Sequence, residues 1–195
     1  VNIAFANELS VICDSLDIDV WELIELANHH PRVNILQPGP GVGGHCIAVD
    51  PWFIVSSAPE QARLIRTARE VNDAKPAWVL DKIADAVNQE DAGTIAILGL
   101  AFKPNIDDLR ESPALEIAKR VATQFSNRQI LAVEPNVKAL PPALEGLENV
   151  EYATLDSAIN QADVLVLLVD HNEFKEVRAS EIQGKHIVDT KGLWV

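Results

Sequence analysis

The residues best able to do chemistry lie in one run, Gln37-Pro-Gly-Pro-Gly-Val-Gly-Gly-His-Cys-Ile-Ala-Val-Asp50. Cys46 follows directly on a glycine-rich stretch, with His45 beside it and Asp50 four residues further on. A thiolate is the effective nucleophile, and a nearby cation or helix N-terminus lowers its pKa, so a cysteine in such a loop suits covalent catalysis at an electrophilic carbon. The competing reading of a lone cysteine is a small buried hydrophobe, which fits Cys13 on its apolar helical face. His45 is a poor base for Cys46, because adjacent residues in extended chain point to opposite sides. The cysteines and the scattered histidines lack zinc-ligand spacing, so no metal is expected.

Gly39, Gly41 and Gly44 also satisfy G-x-G-x-x-G. That fingerprint needs a strand before it and a helix N-terminus after it, to face a pyrophosphate. Here a proline precedes the glycines, and no helix signal appears until Ser57. The glycines are read instead as places for φ > 0 and for close backbone approach by a ligand. A second run, Gly99-Leu-Ala-Phe-Lys-Pro-Asn-Ile-Asp-Asp-Leu-Arg-Glu-Ser112, follows an apolar segment of strand length. Lys103 and Arg110 are cations at the carboxyl end of that strand, suited to phosphate or carboxylate; the alternative is a solvated loop with ordinary surface charges. Asp107 and Asp108 are placed to orient Arg110 or cap the turn rather than to act as a catalytic pair. Lys191 occupies the same kind of strand-end position, and Trp21, Trp52 and Trp78 read as packing residues.

The elements that must position these residues fall into two kinds. Residues 1–90 are nearly all helix around one long loop. Val1, Phe5, Leu9, Ile12 and Leu16 mark one helical face, and Asp19 with Glu22 forms a capping box for the next helix. Prolines and glycines preclude regular helix over 31–51. Ser57, Pro59 and Glu60 signal a third helix start, and Pro76 breaks or kinks the pattern that runs on to about Asn88. Beyond Gly93, short apolar strands alternate with helices, at 94–100, 129–133, 150–153, 163–169 and 186–189. That alternation predicts a parallel sheet covered on both faces, a doubly wound, Rossmann-like α/β domain over 91–195 behind an all-helical domain over 1–90.

Composition narrows the function classes. The chain has 195 residues, 48% of them hydrophobic, enough for a sizeable core. Its 29 acidic against 16 basic residues argue against general nucleic-acid or anionic-membrane affinity. No apolar run spans a bilayer, no signal peptide is present, and no disulfide framework is suggested, so a reducing cytoplasm is expected. The chain opens at Val1 in mid-helix pattern and contains no methionine, which suggests a fragment whose amino-terminal portion is missing.

Together these runs resemble the UDP-glucose/GDP-mannose dehydrogenase family. The resemblance is carried by Asn7-Glu8-Leu9, by Gly-Val-Gly-Gly-His-Cys46 with Asp50-Pro51, and by Gly-Leu-Ala-Phe-Lys103-Pro with Asp-Asp-Leu-Arg110-Glu-Ser-Pro, and it extends from Val1 to Val195. It implies oxidation of a nucleotide-sugar C6 hydroxyl to a carboxylate, with NAD as oxidant, through a thiohemiacetal and a thioester on Cys46. Asp50 matches the aspartate that assists near the thiol. His30, Arg32 and Gly43 match substrate-contacting positions, and Phe102, Lys103 and Lys191 match the lining of the UDP-sugar pocket. Arg110 matches a residue reaching NAD. The helical domain is implied to form a homodimer, and the UDP-sugar to be the small-molecule partner. Family members begin with a glycine-fingerprint NAD-binding domain, and a catalytic lysine and asparagine precede the point matching Val1. This chain lacks them and is expected to be inactive alone. A binding or dimerisation module without chemistry and a cysteine hydrolase stand as the rival readings.

Overall fold

Asp19 opens a helix as its spacing predicts: its carboxylate accepts the N–H of Trp21 at 2.7 Å and of Glu22 at 3.1 Å. Those are two of the donors that every helix start leaves unpaired. The structure, a computed structural model, describes residues 1–90 and 93–194. Its first part comprises α1 (Asn2–Ser15), α2 (Val20–Asn28), α3 (Asp50–Ser57) and α4 (Arg63–Glu90). The α3 boundaries differ from the sequence expectation. Helix begins at Asp50 and Ser57 ends it, donating its hydroxyl to the Phe53 carbonyl at 2.8 Å. Pro51 sits in the first turn, where the missing N–H is no loss and an acid at Asp50 suits the dipole.

Two further helices depart from their patterns. On α1 the buried face is Ala4, Ala6, Asn7, Ser10 and Cys13, small enough to lie close against α4. The apolar stripe of Val1, Phe5, Ile12 and Leu16 faces solvent instead, with Phe5 half exposed. Pro76 does not end α4, which continues through it. Packing on both sides of Pro76 outweighs the one backbone bond it removes. The amino-terminal half of α4 meets α1 and α3, while Val79, Leu80, Ile83, Ala86 and Val87 join the core of the sheet. The boundary expected at residue 90 adjoins residues 91 and 92, which lie outside the described residues.

The second part runs β1 (Thr94–Leu98), α5 (Pro113–Gln124), β2 (Gln129–Val133), β3 (Val150–Tyr152), α6 (Leu155–Gln161), β4 (Val164–Leu167), α7 (Asn172–Lys175) and β5 (His186–Asp189). All neighbouring strands pair in parallel, in the order β3-β2-β1-β4-β5. Strands β1 and β4 are apolar almost throughout because both sheet faces are covered. α4 and α5 close one face; α6 and Phe174 of α7 close the other. The chain is thus α/β, with a helical layer and a doubly wound sheet.

Candidate active site

The strand order reverses between β1 and β4, and in open α/β sheets ligands bind in the crevice outside the carboxyl ends at such a switch point. A cleft of about 290 Å³ lies there. Ala101, Phe102 and Lys103 after β1, Val169 and Asp170 after β4, and Lys191 after β5 form one wall; the proline-glycine loop from Leu36 to Gly43, with Ile47, forms the other. Tertiary structure therefore brings together Gly43, Phe102, Lys103 and Lys191. Lys191 Nζ lies 3.2 Å from Asp170 Oδ1, whereas Lys103 is exposed and forms no ion pair among the described residues. The cleft can hold an anionic group against these ammonium ends, with Phe102 and the loop offering apolar and backbone surface.

Cys46 and Asp50 are not among the residues that line this cleft, although Ile47, next to the thiol in the chain, is. Cys46 is exposed, in a turn whose carbonyl accepts the N–H of Val49 at 3.1 Å and of Asp50 at 2.8 Å. The turn thereby runs straight into α3, and Asp50 stands one turn after the thiol. Cys13 is buried beside Val20 and Ile24, as a packing residue. His30 and Arg32 are not brought to the cleft: both are exposed in the turn after α2, where the Arg32 N–H donates to His30 Nδ1 at 3.3 Å. Arg110 is likewise exposed. Asp108 accepts from its Nε and Nη2, at 2.9 and 2.6 Å, and those side-chain bonds hold the Asp108 carboxyl down at about 2. Asp108 thus orients Arg110, as its spacing suggested. Trp52 is 37% exposed rather than a packing residue.

The expected φ > 0 is found at Gly44, with φ 83°, whereas the close approach at Gly43 is to protein. A side chain on Gly43 would put its Cβ 2.5 Å from the Glu111 carbonyl oxygen and 2.8 Å from Phe102 Cβ. The close approach at Gly43 is therefore that of the segment carrying Phe102 and Glu111, and it docks the loop on the sheet domain. Three polar side chains to which the sequence reading gave no such role hold the same loop. Asn28 exchanges two hydrogen bonds with the Ile35 backbone, at 2.9 and 2.7 Å. Asn7, fully buried, donates to Asn72 at 3.0 Å and accepts the Gly39 N–H at 2.9 Å. Arg69 donates to the Ile47 carbonyl at 3.3 Å, next to the thiol, and pairs with Asp73. The signal available was a set of polar residues on otherwise apolar helical faces.

The described residues do not fit NAD. β1 leads into Gly-Leu-Ala-Phe rather than a phosphate-binding glycine triplet. Glu134, at the end of β2 where a ribose-reading acid stands in dinucleotide-binding sheets, is fully buried and already accepts from backbone amides. A nicotinamide cofactor therefore has no seat in this sheet.

Comparison with known proteins decides the family. Residues 1–74 match the UDP-glucose/GDP-mannose dehydrogenase family, central domain, and residues 96–195 match the UDP binding domain of the same family. The chain belongs to the UDP-glucose/GDP-mannose dehydrogenase family. It is 61% identical over its whole length to a UDP-N-acetyl-D-mannosamine dehydrogenase of Salmonella typhimurium, covering 47% of that protein. It is 59% identical to an NDP-N-acetyl-D-galactosaminuronic acid dehydrogenase of Ralstonia nicotianae, covering 45% of it. The solved UDP-N-acetyl-mannosamine dehydrogenase of Staphylococcus aureus superposes with a TM-score of 0.81 at 42% identity, over 98% of this chain and 44% of that one. The chain thus spans about half the length of these family members.

Proposed function

We propose that this chain is the carboxy-terminal part of an NAD-dependent UDP-sugar 6-dehydrogenase that oxidises UDP-N-acetylmannosamine to its uronate, for surface polysaccharide synthesis in the cytoplasm. The observation that carries it is the cleft at the sheet's switch point, where Lys103 and Lys191 face a glycine loop that leads to an exposed thiol. In this reading the ammonium groups hold the diphosphate, and Phe102 and the backbone around Gly43 line the nucleotide-sugar. His30 and Arg32 lie outside this cleft, so the substrate contact expected of them has no part in this reading. Cys46 Sγ, as thiolate, adds to the C6 aldehyde; the carbonyl electron pair moves to oxygen, which takes up a proton, and the aldehyde is held rather than released. Asp50 accepts a proton from water near that carbon in the later hydrolysis. NAD held on a domain outside these residues, toward which Arg110 reaches, would take up the hydride removed in each oxidation. The exposed stripe of α1 supports a homodimer built on the helical layer.

Calorimetric titration tests the assignment. UDP-N-acetylmannosamine should bind the chain, and Lys103→Ala should weaken that binding about tenfold, the loss expected for one charge-assisted contact. Unchanged affinity would remove Lys103 from the pocket. The 59% identity to the galactosaminuronic acid dehydrogenase favours one second reading, a galacto-configured sugar, which the same titration with UDP-N-acetylgalactosamine separates.

A further inference from the structure

Between β2 and β4 the sheet buries a polar ring that the proposed chemistry leaves unused. Glu134 and His171 are both wholly inaccessible. Glu134 Oε2 accepts the N–H of Leu100 at 2.8 Å, the N–H of Ala101 at 3.0 Å and His171 Nε2 at 3.0 Å. Its Oε1 accepts the backbone and side-chain N–H of Asn136, at 3.1 and 3.2 Å. His171 Nδ1 accepts the Asn105 N–H at 2.9 Å, so this nitrogen carries no proton and Nε2 is the donor toward Glu134. The second amide hydrogen of Asn136 completes the ring at 3.0 Å from the same Nδ1. Asn105 in turn accepts the Asn172 N–H through its side chain at 2.9 Å, and its own φ of 61° is left-handed.

The partners of this ring are not scattered. Leu100 and Ala101 begin the segment that follows β1, and Asn105 ends it. Between them stand Phe102 and Lys103, the cleft wall. A segment tied at both ends by a saturated buried network has little freedom left, because releasing either tie leaves buried polar groups without partners. Burying a carboxylate is expensive by itself, and the donors that surround it are what make the arrangement stable.

We propose that Glu134 and His171 are positioning residues for the cleft: together they fix the backbone over 100–105 and so aim Phe102 and Lys103 at the nucleotide-sugar. The proposal rests on the UDP-sugar reading of the cleft given above. Its structural half stands apart from that reading.

The test uses hydrogen exchange over residues 100–105 and UDP titration on the same samples of the chain. His171→Leu removes donor and acceptor at once, Glu134→Gln keeps size but turns an acceptor into a donor, and His171→Gln retains one of each. In His171→Leu and Glu134→Gln, amide exchange over 100–105 should speed up about tenfold or more, while exchange in β1 and β4 stays near wild type. UDP affinity should fall by about the same factor, and His171→Gln should restore both to within about threefold. Unchanged exchange over 100–105 in either disrupted variant, with its strands still protected, overturns the positioning role. Faster exchange with wild-type UDP affinity also overturns it, since the segment would then not aim the ligand groups. If the wild-type chain binds no UDP, the cleft assignment falls, and the exchange result still decides whether the ring fixes the segment.

Discussion

Lys75 is an ionisable side chain placed inside the fold. It is buried, with Nζ 2.6 Å from Ser10 Oγ and 3.5 Å from the centre of the Trp78 ring, and no carboxylate pairs with it among the described residues. Burial pushes its ammonium down from 10.5 to about 7, against the pull of Asp14 and aided by the repulsion of Lys82. Between pH 7 and 10.5 the unfolded chain therefore binds a proton that the folded chain does not, and stability rises with pH through that window. Below 7 both states carry the charge, and the full burial penalty remains. Glu134 acts in the opposite window: burial would raise its carboxyl, but the His171 and Leu100 hydrogen bonds outweigh that and hold it at about 2, so its contribution declines as pH falls from 4.5 to about 2. Urea denaturation of wild type should show a higher midpoint at pH 9.5 than at pH 6.5, and Lys75→Met should flatten the difference; a slope that survives the substitution assigns it to other groups. Cys46 belongs to the same scale. In the complete enzyme of the proposed function, Cys46→Ser should lower turnover to the uronate by about a hundredfold or more, since a serine hydroxyl is a far weaker nucleophile than a cysteine sulfur. Normal uronate formation by that variant would end the covalent role.

At the scale of elements, α1 carries two messages on two faces. Its small residues meet α4 so closely that no large side chain is needed to bury it, while Val1, Phe5, Ile12 and Leu16 remain on the surface. Phe53, Ile54 and Leu64 add further exposed apolar area on the helical layer. An isolated exposed leucine is ordinary; several on one helix face call for a partner. Phe5→Glu with Leu16→Glu should shift the sedimentation coefficient from dimer to monomer at micromolar concentration, with the helical circular dichroism signal preserved because neither side chain is in the core. A doubly substituted chain that still sediments as a dimer would place the interface elsewhere. The loop from Leu36 to Ile47 is an element in its own right. It has no regular structure, and Asn28, Asn7, Arg69 and the glycine contacts at 43 do the work that a hydrogen-bond ladder does in a strand.

For the whole molecule, the division of labour follows from the sheet. Its switch-point cleft has cations, no glycine triplet follows β1, and the acid after β2, Glu134, is already taken up by backbone amides. The chain by itself should thus bind UDP and yield no NADH when given UDP-N-acetylmannosamine and NAD. NADH formation by the 195-residue chain would show that a nicotinamide seat exists within it. No helix among the described residues is long and apolar enough to cross a membrane.

Local grammar was legible in the residues themselves. Strand runs, the cap at Asp19, and the loop of prolines and glycines depend on contacts within a few positions, and the structure keeps them. The start of α3 was obscured because Ser57, Pro59 and Glu60 imitate a cap, while Asp50-Pro51 offers a first turn that only packing against α4 selects. Which face of α1 is buried was not legible either, since hydrophobic spacing marks a face without saying what covers it. The same holds for the site. Residue types and spacing singled out Cys46 and Lys103, and the family resemblance added Lys191, but the cleft that joins the two lysines to the glycine loop exists only because the strand order reverses between β1 and β4. The Glu134–His171 ring joins residues far apart in the chain, and nothing local marks either of them. Pairing across the sheet sets such contacts, and a side-chain pattern along the chain carries no record of it.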